Sequence, residues 1–326
     1  MKRALILGIG GQDGSYLAQL LLSKNYEVHG LYRRSSVDNL WRIRDFYPLL
    51  SLHQGDLADP YSVQRAIENS EPDEIYNEAD QDNVNWSYST PAYSADITYG
   101  AVARTLDFLH QWDTSRRVKF FQPLSATMFG ACPSPQSERS SFAPASPYAC
   151  AKLATYYLCQ HYRREYGMFV ATGILFNHDS PRRGCGYLLQ KICRDVVLVS
   201  RGQQQSVKIY NPEDRVDVGF AGDFVDGIYR IVQKETPDDF VLATGVGWKI
   251  RDIVRETVQQ LKTGWYGGYR DWDGSKYIEE VNSYRNNPSQ ELIGDITKAK
   301  TVLGWEPTCS MQTLISEILS CWKEKR

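Results

Sequence analysis

Two periodicities alternate along the first 175 residues. Short, nearly continuous apolar runs at 4–7, 27–32, 50–53, 74–76, 119–123 and 169–175 have the length of buried strands. Between them, segment 15–23 places Leu17, Leu20 and Leu21 at helical spacing, and further helices are predicted at 62–69, near 99–112 and at 148–166. Strand and helix in rotation predict an α/β fold, a Rossmann-type doubly wound parallel sheet with helices on both faces. Beyond Phe176 the rhythm breaks into loops rich in Arg, Gly, Gln and Pro, with aromatics between Trp265 and Tyr284 expected to be exposed. Residues 1–175 are therefore expected to form the dinucleotide-binding core. Residues 176–326 are expected to be mainly a smaller C-terminal substrate-binding lobe, interleaved with late strands of the core.

Composition narrows the class. The chain has 326 residues, room for one such core and a lobe built onto it. A formal net charge of −2 leaves no global basic field to collect nucleic acid or anionic membrane. No run reaches the roughly 18 apolar residues of a membrane span, and the start turns Gly-rich before a signal-peptide core forms. Seven irregularly spaced cysteines without a CxxC pair suit a reducing compartment. A soluble, cytoplasmic protein without a metal is expected.

Candidate chemistry begins where the first strand ends. Gly8, Gly11 and Gly14 form a GxxGxxG run between strand and helix, with Gln12 and Asp13 inside it. Glycines let the backbone approach a diphosphate whose charge then meets free amides at a helix N-terminus. A purely structural turn would leave the same pattern; its place between strand and helix favours the dinucleotide. After the second strand stand Arg33, Arg34, Ser35 and Ser36, where an NAD-binding chain usually carries an acid. Two guanidinium groups and two hydroxyls suit a 2′-phosphate, so NADP is expected, with NAD possible; a solvated basic loop is the bland alternative. Asp56, followed by Leu57, is placed to accept from the adenine amino group or to cap the next helix.

Tyr148 and Lys152 lie four residues apart at the start of the long predicted helix, hence on one face of it. The ammonium would favour the phenolate and bond the nicotinamide ribose, leaving a base able to take a hydroxyl proton as hydride departs. Ser125 ends the preceding strand. With the glycine turn, the three point to hydride chemistry at a carbinol carbon.

At these residues the chain resembles the GDP-mannose 4,6-dehydratase family over nearly its whole length. The shared stretches include Gly11-Gln12-Asp13-Gly14-Ser15-Tyr16-Leu17, Ser146-Pro147-Tyr148-Ala149, Asn177-His178 and Ser180-Pro181-Arg182-Arg183-Gly184. The resemblance implies an extended short-chain dehydrogenase, an NADP-type cofactor, a GDP-linked sugar and oxidation at sugar C4 as the opening step. It also implies that His178 and Arg183 face the cofactor, that Asn177 and Lys191 hold the nucleotide diphosphate, and that Arg285 lies near the distal phosphate or base. Arg182 and Arg183 match a loop that in the family helps bind cofactor at a tetramer interface, so a homodimer or homotetramer is expected.

Departures from the family matter as much. Its dehydratases place a Glu two residues after a Ser or Thr, the base that removes the C5 proton; here Ser125-Ala126-Thr127 puts a hydroxyl there. A hydroxyl with a pKa far above neutral is a poor base for a carbon acid. The Ser-Ala-Thr order resembles UDP-galactose 4-epimerase, which needs no C5 base. Family Asn-Leu-Ala-Ala-Gln-Ser-His reads Asn77-Glu78-Ala79-Asp80-Gln81-Asp82-Asn83, bringing three carboxylates toward cofactor and substrate. Arg215 is displaced by one from the Arg that usually meets phosphate. The leading expectation is a 4-epimerase working by transient C4 oxidation. The alternatives are a 4,6-dehydratase with a relocated base such as Asp80 or Asp82, a C4 dehydrogenase or ketoreductase, and a non-catalytic nucleotide-sugar sensor.

Overall fold

The computed structural model describes residues 1–264, 278–281 and 291–324. In chain order its first half runs β1 (Arg3–Leu7), α1 (Gln12–Ser23), β2 (Glu27–Tyr32), β3 (Leu50–Gln54), α2 (Pro60–Ser70), β4 (Glu74–Asn77), α3 (Val84–Ser89), α4 (Pro91–Ala95), α5 (Ala101–Trp112), β5 (Lys119–Ser125), α6 (Pro147–Tyr166) and β6 (Phe169–Leu175). The second half continues with β7 (Asn177–Asp179), α7 (Leu188–Ser200), β8 (Val207–Ile209), β9 (Arg215–Phe220), α8 (Ala221–Gln233), β10 (Asp239–Leu242), β11 (Gly247–Lys249), α9 (Ile250–Gly264), β12 (Ile278–Glu280), β13 (Glu291–Leu292) and α10 (Met311–Glu324).

Seven strands form one sheet in the order β10-β6-β5-β4-β1-β2-β3, every pairing parallel. Burial on both faces explains the unbroken apolar runs: Ala4 and Ile6 of β1 enter the layer shared with α1 and α8, while Leu5 and Leu7 enter the layer shared with α2 and α5. The predicted α/β doubly wound core is present. Its seventh strand, β10, lies in the chain's second half and pairs with β6 from Asp239↔Thr172 to Leu242↔Leu175. Buried Asp239 fastens this edge, accepting from the Thr172 hydroxyl at 2.7 Å, from Arg163 at 2.5 Å and from Gln160 at 3.1 Å.

Local signals fix the helix that matters most. Ser146 caps α6, its Oγ accepting from Ala149 N at 3.1 Å; Pro147 occupies the first helical position, and Gly167 closes the helix at φ 64°. Its first turn is thereby set at the carboxyl ends of β5 and β6. A separate apolar cluster is built from α7, α9, α10 and β8. Buried Asp217 of β9 accepts from the backbone of Thr244 and Gly245 at 2.8 Å each and of Gly294 at 3.2 Å. Among the described residues, no helix is long and apolar enough to cross a membrane.

Candidate active site

The order of strands reverses between β1 and β4, and a cleft of about 720 Å³ opens at the carboxyl ends there, where doubly wound sheets bind ligands. Its wall includes Gly8, Gly11, Gln12, Asp13, Arg33, Asp56, Leu57, Asp82, Ser125, Thr127, Tyr148, Lys152, Asn177, His178, Arg183 and Arg215. Most of the candidates named from sequence therefore meet in one place.

Two of the three glycines are required by geometry. Gly8 has φ 86°, and a Cβ there would stand 2.9 Å from the backbone of Ala79 and of Glu78. A Cβ on Gly14, inside α1, would come 2.4 Å from the Gly8 carbonyl. Gly11 is the N-cap of α1 and brings no side chain to its amides, so the first turn keeps free donors. Arg33, Arg34, Ser35 and Ser36 are exposed after β2, with Arg33 on the cleft wall. This cradle and the basic end of β2 fit a dinucleotide diphosphate.

On the other wall, Ser125 ends β5; its Oγ accepts from Thr127 Oγ1 at 2.9 Å and from Thr127 N at 3.2 Å. Tyr148 is buried on the first turn of α6, with Lys152 one turn further along the same face. The Lys152 ammonium donates to the Pro123 carbonyl at 2.7 Å and meets Asp80 Oδ2 at 2.7 Å. Its distance to the centre of the Tyr148 ring is 5.7 Å. Burial raises the Tyr148 phenol well above its ordinary 10, Asp80 and Asp82 add to the rise, and a hydrogen bond with Ser125 opposes it.

The acidic loop after β4 sorts into three situations. Asp80 Oδ1 accepts from the Thr98 hydroxyl at 2.6 Å and from Gln81 N at 2.7 Å, leaving Oδ2 to the ion pair with Lys152. Asp82 accepts from Tyr187 Oη at 2.6 Å and from Arg183 at 3.2 Å. Glu78 has no ion partner among the described residues, and its Oε1 is buried without a hydrogen bond. Burial pushes its carboxyl up to about 8; Asp13 pushes the same way and Lys152 against.

Beside them, Asp13 and His178 pair at 2.9 Å. Although burial opposes it, the charge and hydrogen bond of His178, with Arg183, hold Asp13 at about 2. His178 is raised from 6.5: burial pulls it down and Asp13 more than restores it.

Other candidates lie off the cleft wall or, like Arg215 on it, are bonded to protein neighbours. Lys191 is not on the cleft wall; it pairs with Asp195 at 3.1 Å and donates to the Lys208 carbonyl. Arg182 turns to Tyr16 and Ser15 on α1. Arg215 bonds the Gly247 carbonyl at 3.1 Å and faces Glu291 at 3.4 Å. Arg285 and the aromatics at Trp265, Tyr266, Tyr269, Trp272, Tyr277 and Tyr284 lie outside the described residues. Asp80 and Asp82, the two carboxylates considered as a relocated base, are each engaged by a cation and by a hydroxyl. Sequence reasoning passed over Tyr187 and Asp179, which also line the cleft. Tyr187 sits in a run of glycines and cysteine that carries no spacing signal, while burial raises Asp179 to about 6.

Fold and cleft together define an extended short-chain dehydrogenase/reductase, of the class of nucleotide-sugar epimerases and dehydratases. Similar folds include a UDP-glucuronic acid 4-epimerase from Bacillus cereus, with TM-score 0.85 and 17% identity, covering 99% of this chain and 100% of that one. A UDP-glucose 4-epimerase from Thermotoga maritima gives 0.84 and 22%, with 99% of each chain covered. Residues 5–318 match the family model for GDP-mannose 4,6 dehydratase. GDP-mannose 4,6 dehydratase 2 of Arabidopsis thaliana is 41% identical over 96% of this chain and 85% of its own length. The human GDP-mannose 4,6 dehydratase is 36% identical over 97% and 90%. The chain belongs to the GDP-mannose 4,6-dehydratase family.

Proposed function

We propose that this chain uses NADP, with NAD as the alternative, to oxidise C4 of a GDP-linked hexose of the GDP-mannose kind, opening a 4,6-dehydration. The observation that carries the reading is the presence of the glycine turn, Ser125, Tyr148 and Lys152 in a single cleft. Tyr148 takes the O4 proton, and Ser125, bonded to it, relays that proton. When bound, the nicotinamide supplies the acceptor for the C4 hydrogen. Gly8, Gly11 and the first amides of α1 would hold the diphosphate, Arg33 with Arg34, Ser35 and Ser36 a 2′-phosphate, and Asp56 the adenine. Asn177 and Arg215 would face the substrate's phosphates.

Family membership supports dehydration ahead of the epimerisation that the sequence suggested, because the relatives carry dehydratase names. Elimination needs an acceptor for the C5 proton, and the Thr127 hydroxyl is too weak. Of the three loop carboxylates, Glu78 is the one without an ion partner among the described residues and with a raised affinity for a proton. The C5 proton of a dehydration by this chain is assigned on that ground to Glu78 in its ionised form, which gains ground as the pH approaches about 8. A second reading, C4 inversion, rests on Thr127 itself, which bonds Ser125 where a carboxylate would stand.

Incubation with GDP-mannose and NADP in deuterated water separates the readings. A product lighter by one water and labelled at C5 supports dehydration; an unlabelled isomer of unchanged mass supports inversion. Turnover by Tyr148→Phe equal to that of the unaltered protein would overturn both.

A further inference from the structure

The Tyr-Lys pair in this cleft is not left to itself. Lys152 and Asp80 approach to 2.7 Å with side-chain exposures of 3% and 10%, so neither charge is shared with bulk water. Thr98 and Gln81 fix the carboxylate from its other oxygen, and Pro123 fixes the ammonium from below, so the contact is held on both sides. The Tyr148 ring lies beside that same ammonium. A cation already neutralised by a carboxylate offers a neighbouring phenolate much less stabilisation than a free one.

We infer that Asp80 is a positioning residue that sets the working pH of this site, by taking up the positive charge Lys152 would otherwise lend to Tyr148. The inference deepens the proposed function, since it rests on Tyr148 and Lys152 being the C4-oxidation pair. The other charged and titratable groups facing the pair do not replace the missing charge. Glu78 and Asp82 come from the loop, Asp13 and His178 balance each other, and Arg183 is drawn to Asp82 and Tyr187. Burial and the two aspartates already hold the Tyr148 proton firmly. The chain therefore works toward the alkaline side of the same site with an uncharged residue at this place.

The test removes the charge, once with the shape kept and once without. Asp80→Asn and Asp80→Ala are compared with the unaltered full-length protein, and Tyr148→Phe identifies the Tyr148 share of the ultraviolet tyrosinate signal in each background. The expected result is a Tyr148 titration moved down by about one pH unit or more, the usual effect of an opposite charge at close range. The acid limb of the rate profile should move with it, raising turnover at neutral pH by about tenfold per unit. A Tyr148 titration in place in both variants overturns the inference, as does equal loss of rate at every pH. Failure of both variants to fold also overturns it, because Asp80 would then be a structural residue. If no substrate turns over in any protein, the proposed function fails, and the tyrosinate titration still decides the role of Asp80.

Discussion

Glu78→Gln offers the most direct measure of how the acidic loop is balanced. A carboxyl raised from 4.5 to about 8 favours its neutral form by roughly 5 kcal/mol, at 1.36 kcal/mol per pH unit. Its side chain is partly open to the cleft, so a measured effect of about 2 kcal/mol is expected. The sign follows from proton counts. Between pH 4.5 and 8 the folded chain keeps a proton on Glu78 that the unfolded chain has lost, so stability falls as pH rises through that interval. A glutamine is neutral throughout and removes that slope. Thermal melting of both proteins at pH 5.5 and 8.5 should give nearly equal Tm at the lower pH. At the higher pH the variant should melt a few degrees above the unaltered protein. Asp13 and His178 are present in both proteins, so they enter the comparison only through the repulsion between Asp13 and Glu78. A gap that is the same at both pH values would refute the claim that Glu78 carries its proton in the folded state.

Three other substitutions test separate parts of the site. Gly8→Ala forces a side chain at φ 86° into the backbone of Ala79 and should destabilise the fold by about 2 kcal/mol, with a matching loss in an NADPH fluorescence titration. Arg33→Ala should weaken NADP binding about tenfold and leave NAD binding nearly unchanged, since charge-assisted bonds to a 2′-phosphate are worth about 1.5–3 kcal/mol; equal loss for both dinucleotides in the same titration would contradict the assignment. Thr127→Glu should give or increase a 6-deoxy product, read by mass spectrometry, and an unchanged product pattern would show that the carboxylate at 127 is not what limits elimination.

The legible part of this molecule was whatever short-range spacing encodes. The run 4–7 is apolar on consecutive positions because both faces of β1 are covered, and that signal needs no knowledge of the partners. The glycines at 8, 11 and 14 and the interval from Tyr148 to Lys152 were equally local. Pairings made by folding were not legible. Nothing near Asp80 announces Lys152, and nothing near Asp82 announces Tyr187 and Arg183. The polar stretch 84–95 hides two short helices behind an Asn83 cap whose side chain accepts from Trp86 N. Its pattern is neither amphipathic nor alternating, so the stretch reads as loop.

The contribution of β10 to the main sheet bears on how the molecule is divided for experiment. Every residue of β6 is buried, and its outer hydrogen-bonding edge is covered by a strand made some sixty residues later. A fragment ending near residue 175 would expose that apolar ribbon to water and leave Arg163 and Thr172 without Asp239. Such a fragment is expected to self-associate rather than report on dinucleotide affinity, so binding work on this protein calls for the intact polypeptide.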